Sequence, residues 1–465
     1  MKRIFVAIIL IFTTSLVFAQ TENYKVASAN FQKDYNANKY DEVFTHFSQE
    51  MKNALPLEKT KAFLINLKSQ AGNIVSMEFV NFQQKPYALY KTKFEKSVMA
   101  FNISLNDQNQ ISGFFIKPYE KMQLSENKTR NSLGSYPKEI GELIFTKSKD
   151  LPINAQLSIA MIQNGITNYY GIIKISDTIK PAQNQSNFFE IGSITKVFTS
   201  TVLASLVESK RLKLTDVINS YYPFAFKDSM KLTFESLANH TSGLPRLPEN
   251  LNPANDQNPY KFYDKNKIEE YLKSVVKLEN KPSPSYSYSN LGAGLLGYSL
   301  GLSQKTNFQN LLQKKVFDKY KMTNSFTSSK KLGNRLVKGL NNNGEIISNW
   351  DFDVLFGAGG ILSTTEDLAK FANAQFNPKN KELEMTRTTT FVIKGDTKIG
   401  LGWHKQESTN GNELFWHNGG TGGYSSSIVM KVKEKKAVII LSNVFDINDK
   451  IDALSYDLIN LMSGK

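Results

Sequence analysis

Ser193 and Lys196 stand three residues apart at the head of an apolar run, Val197, Phe198, Val202, Leu203, Leu206 and Val207, whose pattern predicts a largely buried helix. Side chains three apart share a helix face, so the Lys196 amine can sit beside the Ser193 hydroxyl and activate it as a nucleophile. The helix N-terminus adds partial positive charge that favours a developing oxyanion. Spacing alone proves little, because Ser328 and Lys331 share it in a Ser/Lys-rich stretch with no buried helix behind them. Such a pair is ordinarily a helix cap with a surface lysine. A lysine inside an apolar helix start differs, since burial demands a partner or a lowered pKa.

Two further segments carry matching chemistry. Tyr288-Ser289-Asn290, the only Y-x-N in the chain, precedes a small-residue helix from Ala293 to Leu300. A tyrosine near two cationic groups is expected to lose its phenolic proton more easily than usual and to relay protons between Ser193 and a leaving group. Asn290 offers a donor and an acceptor for Lys196 or a substrate amide. Taken alone, Tyr288 is also readable as a packed aromatic. The second segment, Trp416-His417-Asn418-Gly419-Gly420-Thr421-Gly422-Gly423, lies ahead of a strand. A side chain at Gly419 or Gly420 would obstruct close approach to a strand edge whose N–H groups supply an oxyanion donor. The alternative is a glycine-rich hairpin loop without a ligand. No Gly-Lys-Ser/Thr follows, so it is not a phosphate loop. His240 and His404 read as structural, and with His417 they lack zinc-site spacing, so no metal is expected.

These segments need a scaffold. From Tyr24 to Tyr119 the pattern is helix, helix, then strands: Phe31, Tyr35, Val43 and Phe47 suit helical spacing, 57–67 a second helix, and 97–105 and 111–116 paired strands. His46 sits beside Phe44 and Phe47 and reads as packing. The polar stretch 120–138 reads as a linker. Beyond it, 156–163 and 166–175 flank Asn164-Gly165, a strong hairpin signal. Near the other end 426–432 and 437–443 form a second strand pair, followed by an amphipathic helix at 451–462. Strands at both ends with helical sequence between them predict an α+β fold: one antiparallel sheet flanked by helices, with a helical subdomain inserted.

Composition narrows the partners. No cysteine occurs, which excludes disulfides, a thiol nucleophile and thiolate metal sites. The formal charge of +15 is carried by scattered lysines, with no basic stretch alternating with exposed aromatics, which argues against nucleic acid. Lys2 and Arg3 precede an apolar run from Ile4 to Phe18 that ends in Val17-Phe18-Ala19, so residues 1–19 read as a signal peptide cleaved after Ala19. A retained anchor fits less well, because the run is short and contains Thr13, Thr14 and Ser15. The mature chain is therefore expected to be periplasmic or secreted, without a membrane span.

S-x-x-K, Y-x-N and H-x-G in this order resemble the serine β-lactamases of class C and the related penicillin-binding D-alanyl-D-alanine peptidases and esterases. The runs His240-Thr241-Ser242-Gly243-Leu244-Pro245 and Gly357-Ala358-Gly359-Gly360-Ile361-Leu362-Ser363-Thr364 extend the resemblance over roughly 140–465. It implies a β-lactamase/transpeptidase-like domain at 139–465 acting without cofactor. Ser193 would be the nucleophile, Lys196 its activator, Tyr288 the general acid and base, and Asn290 a substrate contact. His417 would stand where class C lactamases carry lysine, with Ser193 and Gly420 giving the oxyanion N–H groups. Gly420 replaces a hydroxyl residue that helps hold a substrate carboxylate in the family. Both departures turn the expectation from antibiotics toward a peptidase, amidase or esterase acting on a small molecule or short peptide, and His417 suggests activity changing between about pH 6 and 8. A true β-lactamase and a non-catalytic module binding cell-wall fragments are the alternatives. Residues 20–119, through the run Gly113-Phe114-Phe115-Ile116-Lys117-Pro118-Tyr119, resemble the nuclear-transport-factor-like cones that precede secreted hydrolases.

Overall fold

The computed structural model describes residues 22–82, 87–119, 129–251, 258–279, 284–407 and 411–463. They fall into two compact units, one up to Ser125 and one from Glu126. The expected signal peptide and the linker up to residue 128 lie outside the described residues.

The first unit places helices at 22–36, Tyr40–Thr45, Gln49–Ala54 and Leu57–Ala71 before a four-stranded antiparallel sheet, Ile74–Phe82, Tyr87–Phe94, Val98–Leu105 and Ile111–Pro118, paired in chain order. The periodicity that reads as one helix through Phe47 is broken at 37–39, where Asn38 turns to positive φ (57°). Phe31, Tyr35, Val43 and Phe47 still share one core with Leu64, Phe94, Phe101 and Ile103, since the break preserves which face they bury. His46, read as packing, is partly exposed and lies outside this core, with Nε2 3.1 Å from Asp34 Oδ2.

In the second unit the expected sheet is present and is eleven-stranded. Its centre joins the early and late parts of this unit: Lys436–Ser442 pairs antiparallel with Gln156–Gln163, Ile440 facing Ile159 and Val438 facing Met161. Alternation explains why both strands read as almost wholly apolar. Ile159, Met161, Val438 and Ile440 face a core closed by the helices Lys138–Ser148 and Asn448–Leu461, while Ala160, Ile162, Ala437, Ile439 and Leu441 face the larger core under the helical region. The sheet is not wholly antiparallel, because Arg130–Asn131 runs parallel to Thr178–Ala182. Residues 129–138, read from sequence as linker, are thus built into this unit, with Leu133 buried in its core. Polar composition hid that role.

Three short strands were not legible as strands: Phe391–Lys394, Thr397–Ile399 and His404–Glu407. They extend the sheet outward from Glu413–Gly420, which pairs on its other side with Ser425–Lys431. The His417-Asn418-Gly419-Gly420 segment is therefore strand, and the turn begins only at Thr421. Between the sheet's two halves of sequence lies the helical region, whose central helix Thr195–Glu208 is buried on nearly every side. Phe198 on that helix stacks on Phe371 at 4.4 Å between ring centroids.

Candidate active site

The nucleophile segment is fixed from both sides. Strand Phe189–Glu190 leads into a 3-10 turn, Gly192–Ile194, which feeds the helix Thr195–Glu208. Gly192 has φ +51°, and a Cβ there would come within 2.7 Å of Gly420 N, so only glycine lets the Ser193 turn lie against the strand end. A Cβ on Gly419 would sit 2.2 Å from Ile191 O and 2.7 Å from Ser193 N. Gly420 is different: its nearest neighbour would be Asn448 Oδ1 at 3.4 Å, an ordinary contact. Close approach thus requires glycine at 419 and not, as expected from sequence, at 420 as well. The backbones of Ser193 and Gly420 meet at the wall of one cleft of about 590 Å³.

Lys196 Nζ lies 2.8 Å from Ser193 Oγ, 2.8 Å from Asn290 Oδ1 and 2.7 Å from Ala358 O. The side chain is 2% exposed. Burial, and secondarily the Arg246 charge, push its pKa well below the usual lysine range. The partner set agrees with a neutral amine. Asn290 Oδ1 and Ala358 O only accept, using both N–H donors of an NH₂ group, and the remaining lone pair is left for the Ser193 hydroxyl proton.

The other cleft residues are held by the run His240 to Arg246. His240 takes positive φ (61°), its carbonyl accepts from Ser287 N at 2.8 Å, and its Nδ1 accepts from Ser289 N at 3.2 Å. Arg246 O accepts from Asn290 N at 3.0 Å and Leu291 N at 3.1 Å. Ser289 caps the helix Asn290–Ser303 through Gly292 N at 2.8 Å and donates to Pro245 O at 2.6 Å. One loop therefore aims Tyr288 and Asn290 together. Asn290 Nδ2 donates to Tyr260 Oη at 3.1 Å, which leaves Oδ1 toward Lys196.

Tyr288 packs on the His240 ring at 4.5 Å, with Lys196 Nζ 4.9 Å and Arg246 Cζ 5.2 Å from its own ring centroid. The expectation of an easily ionised phenol is overturned. Its ring keeps some surface on the cleft, yet loss of water around it pushes the pKa up to about 12, against smaller opposing effects of the Ser193 hydroxyl and Arg246. A neutral Lys196 supplies no cation to reverse that.

His417 is also corrected. It is 2% exposed, and burial, then His404 and Lys196, hold its pKa well below the normal imidazole range. It stays neutral across pH 6 to 8, so the predicted switch in that interval has no source in this residue. Nδ1 lies 2.6 Å from Asn418 O and must carry the proton, because a carbonyl only accepts. Nε2 is then a bare lone pair with no hydrogen bond among the described residues. His404, read as structural, is bound to Tyr286 Oη at 2.8 Å and stacked on Trp416 at 4.4 Å, and burial lowers its pKa to about 4. Among the described residues no cluster of three or more potential ligands could hold a metal ion.

The structure thus brings Ser193, Lys196, Tyr288, Asn290, His417, Gly419 and Gly420 to one cleft and leaves Ser328 elsewhere, exposed, capping a three-residue turn by accepting from Lys330 N at 3.4 Å. Sequence reasoning missed Arg246, Tyr260 and Trp350 on the cleft wall. Of these only Arg246 had a signal, since it directly follows the run ending at Pro245. Behind Trp350 lies Glu190, 5% exposed, whose Oε1 accepts from Asn349 Nδ2 at 2.6 Å and Trp350 N at 2.9 Å. Burial pushes its pKa up to about 7.

A sheet that joins the first and last parts of the second unit, an inserted helical region and a buried Ser–Lys pair beside the cleft define this domain. Residues 157–459 match the Beta-lactamase family, and residues 28–114 match a family described as a protein of unknown function (DUF3887). The chain belongs to the β-lactamase family, a family of serine hydrolases. Its first unit, a small α+β domain, is compatible with the nuclear-transport-factor-like architecture. "Protein flp" of Staphylococcus aureus is 23% identical over 307 residues, 62% of this chain and 59% of that protein. "Beta-lactamase-like protein 4" of Dictyostelium discoideum is 26% identical over 317 residues, 60% of this chain and 54% of that protein. The chain therefore spans somewhat over half the length of these relatives. Among solved structures, a β-lactamase/D-alanine carboxypeptidase from Pseudomonas syringae superposes with TM-score 0.58 at 20% identity, covering 69% of this chain and 99% of that one. A class C β-lactamase from Rhodobacter sphaeroides gives TM-score 0.58 at 18% identity, covering 70% and 98%. These likenesses concern the fold.

Proposed function

We propose that the chain is an exported serine hydrolase that forms an acyl-enzyme on Ser193 and hydrolyses small esters, amides or D-amino-acid peptides. The observation that carries this reading is the Lys196 amine, buried, with two acceptors satisfied and its lone pair facing Ser193 Oγ at 2.8 Å. Lys196 takes the hydroxyl proton as Oγ adds to the substrate carbonyl. The resulting oxyanion lies between the N–H groups of Ser193 and Gly420, which need no reorganisation to receive it. Tyr288, protonated at neutral pH, serves as the acid that delivers a proton to the leaving atom. Lys196 passes the proton it took to the tyrosinate, which restores both groups, and water then attacks the acyl ester with Lys196 accepting its proton and returning it to Ser193 Oγ as the acid departs.

Neutral His417 supports the peptidase or esterase reading over a dedicated β-lactamase, because it offers no cation for the antibiotic carboxylate in the third motif. The test is turnover of p-nitrophenyl esters, D-amino-acid amides and a chromogenic cephalosporin by the wild type and Ser193→Ala. Ester or amide turnover that vanishes in folded Ser193→Ala is expected. Turnover surviving in that variant contradicts the proposal, and fast cephalosporin hydrolysis with slow ester hydrolysis favours the lactamase alternative. Tight muropeptide binding without turnover favours the non-catalytic module. Export rests on residues 1–19 and is checked by N-terminal sequencing of the mature protein, which should begin at Gln20.

A further inference from the structure

The cleft has an uneven charge. Of its lining residues among those described, Arg246 alone is charged at neutral pH, and none is Asp or Glu. Lys196 and the imidazoles of His404 and His417 are held neutral by burial. Arg246 is exposed and makes no ion pair among the described residues. It lines the cleft and lies over the Tyr288 ring, 5.2 Å from the centroid. Its backbone is not free to drift: the Arg246 carbonyl holds the N–H groups of Asn290 and Leu291, the start of the helix that also orders Lys196. A fork of donors without an ion pair among the described residues, beside the reacting groups and with no competing carboxylate on the cleft lining, suits a planar oxyanion.

We propose that Arg246 is a specificity-determining residue of this site and that the substrate carries a carboxylate, bound by the guanidinium at the Tyr288 side of the cleft. This inference rests on the acyl-enzyme reading and adds the substrate class to it. It places the negative charge away from the third-motif position, where neutral His417 presents a hydrogen-bond acceptor on Nε2 and would repel a carboxylate oxygen. The substrate is thus an anionic acyl donor or an ester or peptide whose leaving part ends in a free carboxylate, with an N–H or O–H donor directed at His417.

Matched pairs decide the matter: a p-nitrophenyl hemiester of glutarate against its methyl ester, and a D-amino-acid dipeptide with a free C-terminus against the same peptide amidated. In the wild type the carboxylate member of one pair should be favoured by about tenfold to hundredfold in kcat/KM, the worth of a charge-assisted hydrogen bond. Arg246→Ala should bring that ratio close to one, chiefly through KM, and Arg246→Lys should keep part of it, since a point charge lacks the fork. The ratio cancels any general effect of Arg246 on Tyr288. No preference in the wild type, or the same preference in Arg246→Ala, overturns the proposal. A fluorophosphonate labelling control separates the two levels: a Ser193 adduct without charge preference removes this inference alone, and no adduct in either protein removes the acyl-enzyme reading with it.

Discussion

Two serines that each stand three residues before a lysine occupy opposite environments in this chain. Ser193 and Lys196 enter a helix buried on nearly every side, and the buried lysine has two fixed acceptors. Ser328 is exposed and only caps a three-residue turn. The lesson is that reactivity resides in desolvation and in the count of acceptors around the amine. The interval between the two residues supplies only proximity.

The largest effect should come from removing the two serines separately. Ser193→Ala should lower ester turnover by about 10⁴-fold or more, as for a residue acting within one catalytic unit, while Ser328→Ala stays within about twofold of wild type. Parallel kcat/KM measurements with a circular dichroism check of folding decide it, and comparable losses in both variants break the contrast. Next, Lys196→Ala should cost about 10²- to 10⁴-fold, the usual contribution of a general base, and the remaining wild-type activity should fall on acidification as the amine gains a proton. A pH-independent Lys196→Ala rate equal to the wild type would contradict the role of a neutral amine.

A smaller effect probes the wall behind Trp350. Glu190 has a folded-state pKa raised from 4.5 to about 7, so the native state keeps a proton that the unfolded chain loses. Its contribution to stability is full below the unfolded pKa and is lost as pH rises through about 7, amounting to about 3 kcal/mol in all. Glu190→Gln should therefore gain about that much on the wild type between pH 4 and 8 in denaturant titrations. A constant difference across pH would show that the carboxyl is not desolvated as the structure describes. The smallest effect is an absence: His417→Gln should leave the shape of the rate profile between pH 6 and 8 unchanged, and loss of an imidazole step in that variant would restore the titrating role expected from sequence.

What the sequence disclosed, and what it hid, follows the same division. Ser193, Lys196, Tyr288 and Asn290 were legible because each sits at a helix start marked by an apolar or small-residue run. The sheet was legible at its centre, where Ile159 and Ile440 belong to long apolar strands, and illegible at Arg130–Asn131 and His404–Glu407, which are too short and polar to show a period. Tyr288 was read as shifted the wrong way and His417 as an imidazole titrating near neutrality for one reason: desolvation depends on residues remote in sequence, and no local pattern reports it. Ala358 O and Trp350 escaped notice because one acts through its backbone and the other stands in a loop without a repeating pattern.

The contrast between the two serines is tested most directly by covalent labelling. Wild-type, Ser193→Ala and Ser328→Ala proteins should be treated with a fluorophosphonate and a fluorescent penicillin, and the modified peptide identified by mass spectrometry. A single adduct on Ser193, retained in Ser328→Ala and lost in Ser193→Ala, is the predicted result. An adduct that persists in folded Ser193→Ala, or that maps to Ser328, would contradict the account.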